Sequence, residues 1–268
     1  MRFLTVVLFA LLVSAGTALA DHVLQAESRD LQADPPEIDH MVLYLGKGKL
    51  ATENATGTEE ASKSIYDATE KVIWHVEPAT KSYMRIDEAS MRQIGSQMDA
   101  AMQQMREQME KMPEEQRQQM EQMMKGVMGG GEVEKTTWTV EPSNEKKDIQ
   151  GRSCKRYDVL ANGVKQSEIW ATSWKEAGVP KESFDVLRDF ASFMEEIAAS
   201  IPAFAKAMQE QGGVMPGLEK IDGFPIRVVD FEGSEPTQET TFTSVEEKKI
   251  DAAFYKVPAD YTEKKLGE

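Results

Sequence analysis

Twice along this chain the spacing of apolar residues changes from every second position to every third or fourth, and then changes back. Alternation buries one face of a strand, whereas a step of three or four buries one stripe of a helix, so one segment cannot satisfy both. The chain must therefore interleave its elements in the order strands, helices, strands, helices, strands.

The first block is strand-like. His22–Asp30 alternates and is broken by Pro35-Pro36. Ile38–Leu45 and Lys49–Glu53 flank the turn Gly46-Lys47-Gly48, which reads as a hairpin. A polar loop, Asn54–Ser62, leads to three short strands, Ser64–Tyr66, Lys71–Val76 and Lys81–Ile86. Asp67-Ala68-Thr69-Glu70 and Glu77-Pro78-Ala79-Thr80 are the turns between them. A turn at intervals of about ten residues describes an antiparallel meander. Strands resume at Thr136–Glu141. Ser153–Leu160 and Gln166–Thr172 form a hairpin around Ala161-Asn162-Gly163, and Phe224–Phe231, Thr240–Val245 and a terminal segment, Phe254–Tyr261, close the chain.

The two helical stretches are expected at about 87–128 and 181–211. In the first, the apolar positions are Ile94, Met98, Met102, Met105, Met109 and Met112. Ten of the sixteen methionines fall between Met91 and Met128. Asp87 and Glu88 supply negative charge at the helix start. Pro113 cannot continue a straight helix, so a second piece carrying Met120, Met123, Met124 and Val127 begins there and ends at Gly129-Gly130-Gly131. The second stretch shows the stripe Leu187, Phe190, Met194, Ile197, Ile201, Phe204 and Met208, with Pro202 a kink and Gly212-Gly213 a stop. The fold class is α+β: a curved antiparallel sheet covered by helical inserts on one face.

The ends set the compartment. Arg2, the apolar run Phe3–Val13 and Ala18-Leu19-Ala20 describe a secretory signal over residues 1–20, cleaved before Asp21. No cysteine follows the cleavage site to take a lipid, and no later run approaches the ~20 apolar residues of a spanning helix. The expectation is a soluble exported protein, periplasmic and not membrane-spanning, of one domain over 21–268. Loss of Arg2 leaves 30 basic against 46 acidic residues, a net charge of −16 that repels nucleic acid and anionic lipid headgroups. Cys154 is the only cysteine, so no intramolecular disulfide forms. With Tyr157 and Val159 after it, it reads as a buried strand residue rather than a reactive thiol.

Several segments together resemble an exported bacterial domain-of-unknown-function family whose fold is similar to the lipoprotein carriers LolA and LolB. They are Ser64-Ile65-Tyr66-Asp67 with Lys71-Val72-Ile73-Trp74 and Lys81-Ser82-Tyr83-Met84, then Ile149-Gln150-Gly151-Arg152-Ser153-Cys154-Lys155-Arg156-Tyr157. Glu168-Ile169-Trp170-Ala171, Gly223-Phe224-Pro225 and Phe254-Tyr255-Lys256-Val257-Pro258-Ala259-Asp260-Tyr261 follow in order and extend the match over nearly all the mature chain. The resemblance implies an incomplete β-barrel with helices as a lid over its concave face, where the carriers take acyl chains. The Met-rich insert is longer than theirs, and no carrier-specific residue transfers.

Little in the chain suggests catalysis. His22, His40 and His75 are the only histidines, and none joins a metal-binding or nucleophile motif. The expectation is a non-enzymatic protein without cofactor or metal. The methionine stripe has three readings. It packs on the sheet as an adaptable gap filler, it presents a surface that accommodates varied lipids or apolar peptides, or its thioethers hold Cu(I). The leading function is a carrier holding an apolar ligand, either a lipid or the acyl chain of a lipid-modified protein. Met98, Met102, Met105 and Met109 from the first insert would line the cavity with Phe190, Met194 and Ile197 from the second. A periplasmic Cu(I)-binding protein and an envelope scaffold that binds a protein partner are the alternatives.

Overall fold

In the computed structural model, residues 21–54, 62–110, 136–200 and 220–265 are described. The expected signal segment, the helical piece after Pro113 and the turns at Gly129-Gly130-Gly131 and Gly212-Gly213 lie outside them, as do Ile201, Pro202, Phe204 and Met208.

The chain runs β1 (Asp21–Asp30), β2 (Ile38–Gly46), β3 (Lys49–Asn54), β4 (Lys63–Asp67), β5 (Val72–Glu77), β6 (Ser82–Asp87) and α1 (Glu88–Glu110). There follow β7 (Trp138–Ile149), β8 (Arg152–Ala161), β9 (Val164–Thr172), α2 (Trp174–Ala177) and α3 (Asp185–Ser200). β10 (Phe224–Glu232), β11 (Glu235–Lys248) and β12 (Thr262–Lys264) end it. All twelve strands join one sheet in the order β12-β6-β5-β4-β3-β2-β1-β11-β10-β9-β8-β7. Neighbours are antiparallel except β12, which runs parallel to β6. The sheet has two ends, β12 and β7, and does not close into a barrel. The meander and hairpins expected from alternation are present, and β1 joins the two halves by pairing with β2 on one side and β11 on the other.

Three local features depart from the sequence reading. β7 continues to Ile149 rather than ending at Glu141, with a bulge between Pro142 and Lys146. Its polar run, Ser143 to Asp148, has no apolar alternation. It is a strand because Gln150 and Gly151 take positive φ values of 53° and 74° and fold the chain back onto β8. A one-turn helix, α2, forms where Ser173 Oγ accepts a hydrogen bond from Glu176 N at 3.2 Å. The terminal segment forms a 3-10 turn over Ala252–Tyr255, and only Thr262–Lys264 pairs with the sheet. At Gly223, with φ 136°, a Cβ would lie 2.2 Å from the Thr172 carbonyl oxygen, so only glycine lets β10 start against β9.

The entry into α1 is held by a reciprocal cap. Asp87 Oδ1 accepts from Ser90 N at 2.8 Å, and Ser90 Oγ accepts from Asp87 N at 2.9 Å. Hydrogen bonds from Ser90 and the Arg85 guanidinium 3.0 Å away outweigh burial and hold the Asp87 carboxyl below its usual range. Because the folded value is depressed, the charged cap stabilises above the unfolded carboxyl value of ~3.9 and is lost as pH falls through the lower folded value. Asp87→Ala is therefore expected to cost about 1 kcal/mol in urea unfolding at neutral pH. The gap to wild type should close in acid; a gap unchanged at pH 2 would contradict this account.

Candidate functional site

The candidate site is the apolar sheet face on which α3 sits. Leu24, Leu43, Leu45, Leu50, Tyr66 and Ile73 form its floor and belong to one buried cluster with Val186, Phe193 and Ile197 of α3. They share a side because paired residues in adjacent strands point the same way: Leu45 lies opposite Leu50, Leu50 opposite Tyr66 and Tyr66 opposite Ile73. Toward β10 the floor continues as aromatic rings. Phe224 packs against Phe184 and Phe242, each with centroids 5.3 Å apart, and Trp174 of α2 lies 5.0 Å from Phe184.

Tyr66 is the anchor for α3. Its ring meets Phe190 edge-on at 5.2 Å and stacks on Phe193 at 5.5 Å, while its hydroxyl donates to the Asp189 carbonyl at 3.3 Å. Burial, followed by the nearby carboxylates of Asp189, Glu196 and Asp67, pushes the phenol up to about 12, so it remains a neutral donor at any physiological pH. Next to it, Asp67 pairs with Lys49 and accepts from Thr69 N at 2.9 Å and Glu70 N at 3.2 Å, which fixes the turn into β5. Burial opposes ionisation of Asp67, but Lys49 and the two amides prevail and hold its carboxyl below the usual range.

The expected lining residues take different environments. Ile197 is buried, and Phe190 and Met194 are half-buried against the core. Met109 is buried at 8% exposure, whereas Met105 is 41% exposed. Met98 and Met102 lie within α1, but their side chains are outside the description. Sequence reasoning passed over Val186 and Phe193, which are 3% and 2% exposed, and Met91 at 7%. The buried edge of α3 is thus Val186, Phe190, Phe193 and Ile197, still at steps of three and four but turned from the expected stripe. α1 meets the core at its beginning, through Met91 and Ile94. Where α1, α3 and the β4–β5 turn converge, a cleft of about 390 Å³ is lined by Phe193 and Ile197 beside Asp87, Glu88 and Arg92. The Lys71–Glu196 ion pair, at 2.9 Å, ties the turn to α3.

The same face becomes polar toward β8 and β9, a feature no sequence pattern indicated. Arg156 reaches Glu145 at 2.8 Å and Asp158 at 3.2 Å, Lys165 reaches Asp158 and Glu168, and Trp170 Nε1 donates to Glu168 at 2.7 Å. Two cations, Arg156 and Lys165, are shared among three carboxylates, so every acid of the group is held in an ion-pair network. Among the described residues, no three of His, Cys, Asp and Glu gather to hold a metal ion. No described helix is long and apolar enough to cross a membrane. Cys154 is fully buried on β8, where burial raises its thiol, and His75 Nδ1 lies 3.1 Å from Ser64 Oγ.

If Phe193 joins α3 to the sheet, Phe193→Ala should cost roughly 3–5 kcal/mol in urea unfolding. Met105→Ser, on the exposed side of α1, should stay within about 0.5 kcal/mol of wild type. Equal effects from the two would contradict this placement of the helices.

No family model matches the chain, and no curated protein matches it by sequence. Solved structures similar to it include an uncharacterized conserved protein from Thermus thermophilus, at 7% identity and TM-score 0.45, with 91% of this chain and 90% of that one covered. The chain is similar to PNGF-II at 10% identity and TM-score 0.40, with 91% of this chain but 31% of that one covered. LolA superfamily proteins are among the similar structures. The one from Nitrosomonas europaea has 6% identity and TM-score 0.31, with 89% of this chain and 90% of its own covered. None of these assigns a role to a residue of this chain.

Proposed function

We propose that this is a non-enzymatic periplasmic binding protein of the carrier type. Residues 21–268 form one domain in this reading, and its sheet curves as an incomplete barrel. α1 and α3 act as a lid, and the ligand is a lipid or the acyl chain of a lipid-modified protein. The observation that carries the reading is the cleft at the α1–α3 seam. There Phe193 and Ile197, buried residues of α3, line the inner wall of an opening whose rim carries Glu70, Lys71, Glu88, Arg92 and Glu196. An acyl chain entering at that seam would replace helix–sheet contacts with contacts of the same chemistry. Each methylene buried contributes ~0.8 kcal/mol. Methionine on α1 suits such a lid because its unbranched thioether adapts to chains of different shape.

The purified protein is expected to bind an apolar fluorescent probe at micromolar concentration and to release it when a fatty acyl chain is added. Met194→Glu, on the half-buried edge of α3, should weaken probe binding about tenfold, equivalent to ~1.4 kcal/mol, while the far-ultraviolet spectrum stays unchanged. The reading fails if the probe neither binds nor is displaced. Native mass spectrometry of protein from its own envelope should find lipid; bound copper or a tightly held partner protein in its place would overturn the reading.

A further inference from the structure

The opposite face of the same strands holds a second cleft, of about 410 Å³, lying between β2–β5 and the C-terminal segment. Its walls include Val42, Ile65, Val76, Pro78, Pro258 and Tyr261. Val42 and Ile65 point away from α3 because their neighbours Leu43 and Tyr66 point toward it. The polar groups at its base are Lys63 and Glu53, with Lys256 also on the lining. The Lys63 side chain is only 16% exposed. Its Nζ donates to the Phe254 carbonyl at 2.6 Å, lies 3.0 Å from the centroid of the Phe254 ring, and is 3.8 Å from Glu53 Oε1. Tyr44 OH donates to the other oxygen of Glu53 at 2.8 Å. A surface lysine extends into water; this one is folded inward against an apolar cleft. Burial lowers its pKa to about 8, against the smaller opposing effect of Glu53, so about a tenth of the amine is neutral at pH 7, far more than for an ordinary lysine.

We propose that this cleft admits a small apolar aldehyde and that Lys63 Nζ captures it as an imine. The neutral amine attacks the carbonyl carbon, a C–N bond forms as the C=O π bond opens, and the oxygen takes a proton from water while the nitrogen still carries both of its own. Glu53, held by Tyr44 and with its other oxygen 3.8 Å from Nζ, takes the nitrogen proton through one water and returns it to the carbinolamine hydroxyl, which leaves as water as the C=N bond forms and gives the iminium. No oxidant or reductant is needed. A lysine desolvated in an apolar pocket is the usual form of an amine nucleophile, and a cleft of this volume falls in the range that holds small ligands. The site is on the face away from the α1–α3 seam, so it stands or falls separately from the carrier reading.

The test is reductive labelling of the full mature chain at pH 7 with hexanal and cyanoborohydride, followed by peptide mapping. Lys63 should acquire the hexyl group about tenfold or more faster than the exposed Lys47 and Lys175. Hexanol, which fills the cleft without reacting, should slow labelling at Lys63 and leave the other two unchanged. Lys63→Met should lose this label alone; because the mapping is made on wild type, the result does not depend on how well that variant folds. Labelling of Lys63 no faster than of Lys47 and Lys175 overturns the proposal, as does hexanol slowing all three equally.

Discussion

The middle of this sheet is apolar on both sides. Leu43, Leu45, Leu50, Tyr66 and Ile73 face one way, and Ala51, Ile65 and Val76 face the other, all buried. Neither face can be left in water, since each large aliphatic or aromatic side chain loses ~1.5–3 kcal/mol when exposed. The remaining elements answer that constraint. α3 covers one face over Tyr66. The C-terminal segment covers the other, with Phe254 against Tyr44 at 4.4 Å and Tyr255 buried at 4% exposure.

The two covers differ in kind, and that difference gives the two faces different chemistry. α3 presents an apolar edge to the floor, with the Tyr66 hydroxyl bonded to its backbone and charged side chains such as Glu196 at the rim. The C-terminal segment is a short irregular strap, and the carbonyl of Phe254 needs a donor that the sheet cannot supply from its own backbone. Lys63 supplies it, which brings an ammonium under an apolar cover. Ion pairs from Lys81 to Asp260 and from Lys264 to Glu77, each at 2.9 Å, hold the strap at its far end. Both pairs are exposed, so each contributes little to stability and more to position.

The strand order was legible wherever one side of a strand is buried and the other is not, because alternation is a local signal. The hairpin at Asn162-Gly163 was legible for a similar reason: both residues take positive φ, 50° and 81°, which these two residue types tolerate best. The second half of β7 was not, since Ser143 to Asp148 carry no apolar residue and owe their conformation to β8. The site was half legible. A helical stripe was evident between Leu187 and Ile197, but Leu187-Phe190-Met194-Ile197 and Val186-Phe190-Phe193-Ile197 both satisfy the helical step. Docking on Tyr66, more than a hundred residues away, selects the second.

By itself the sequence determined the main periods: the strands whose two sides differ in burial, the start of the two helical stretches, the turn at Asn162-Gly163, and that the chain is strongly acidic. These follow from interactions between residues a few positions apart. The tertiary structure alone decided that β1 bridges β2 and β11, that β12 returns parallel to β6, which edge of α3 is buried, and that Lys63 lies under Phe254. Each joins residues far apart in the chain. Their partners are chosen by which apolar surfaces must be covered and which buried polar groups must be paired, and no local spacing records either choice.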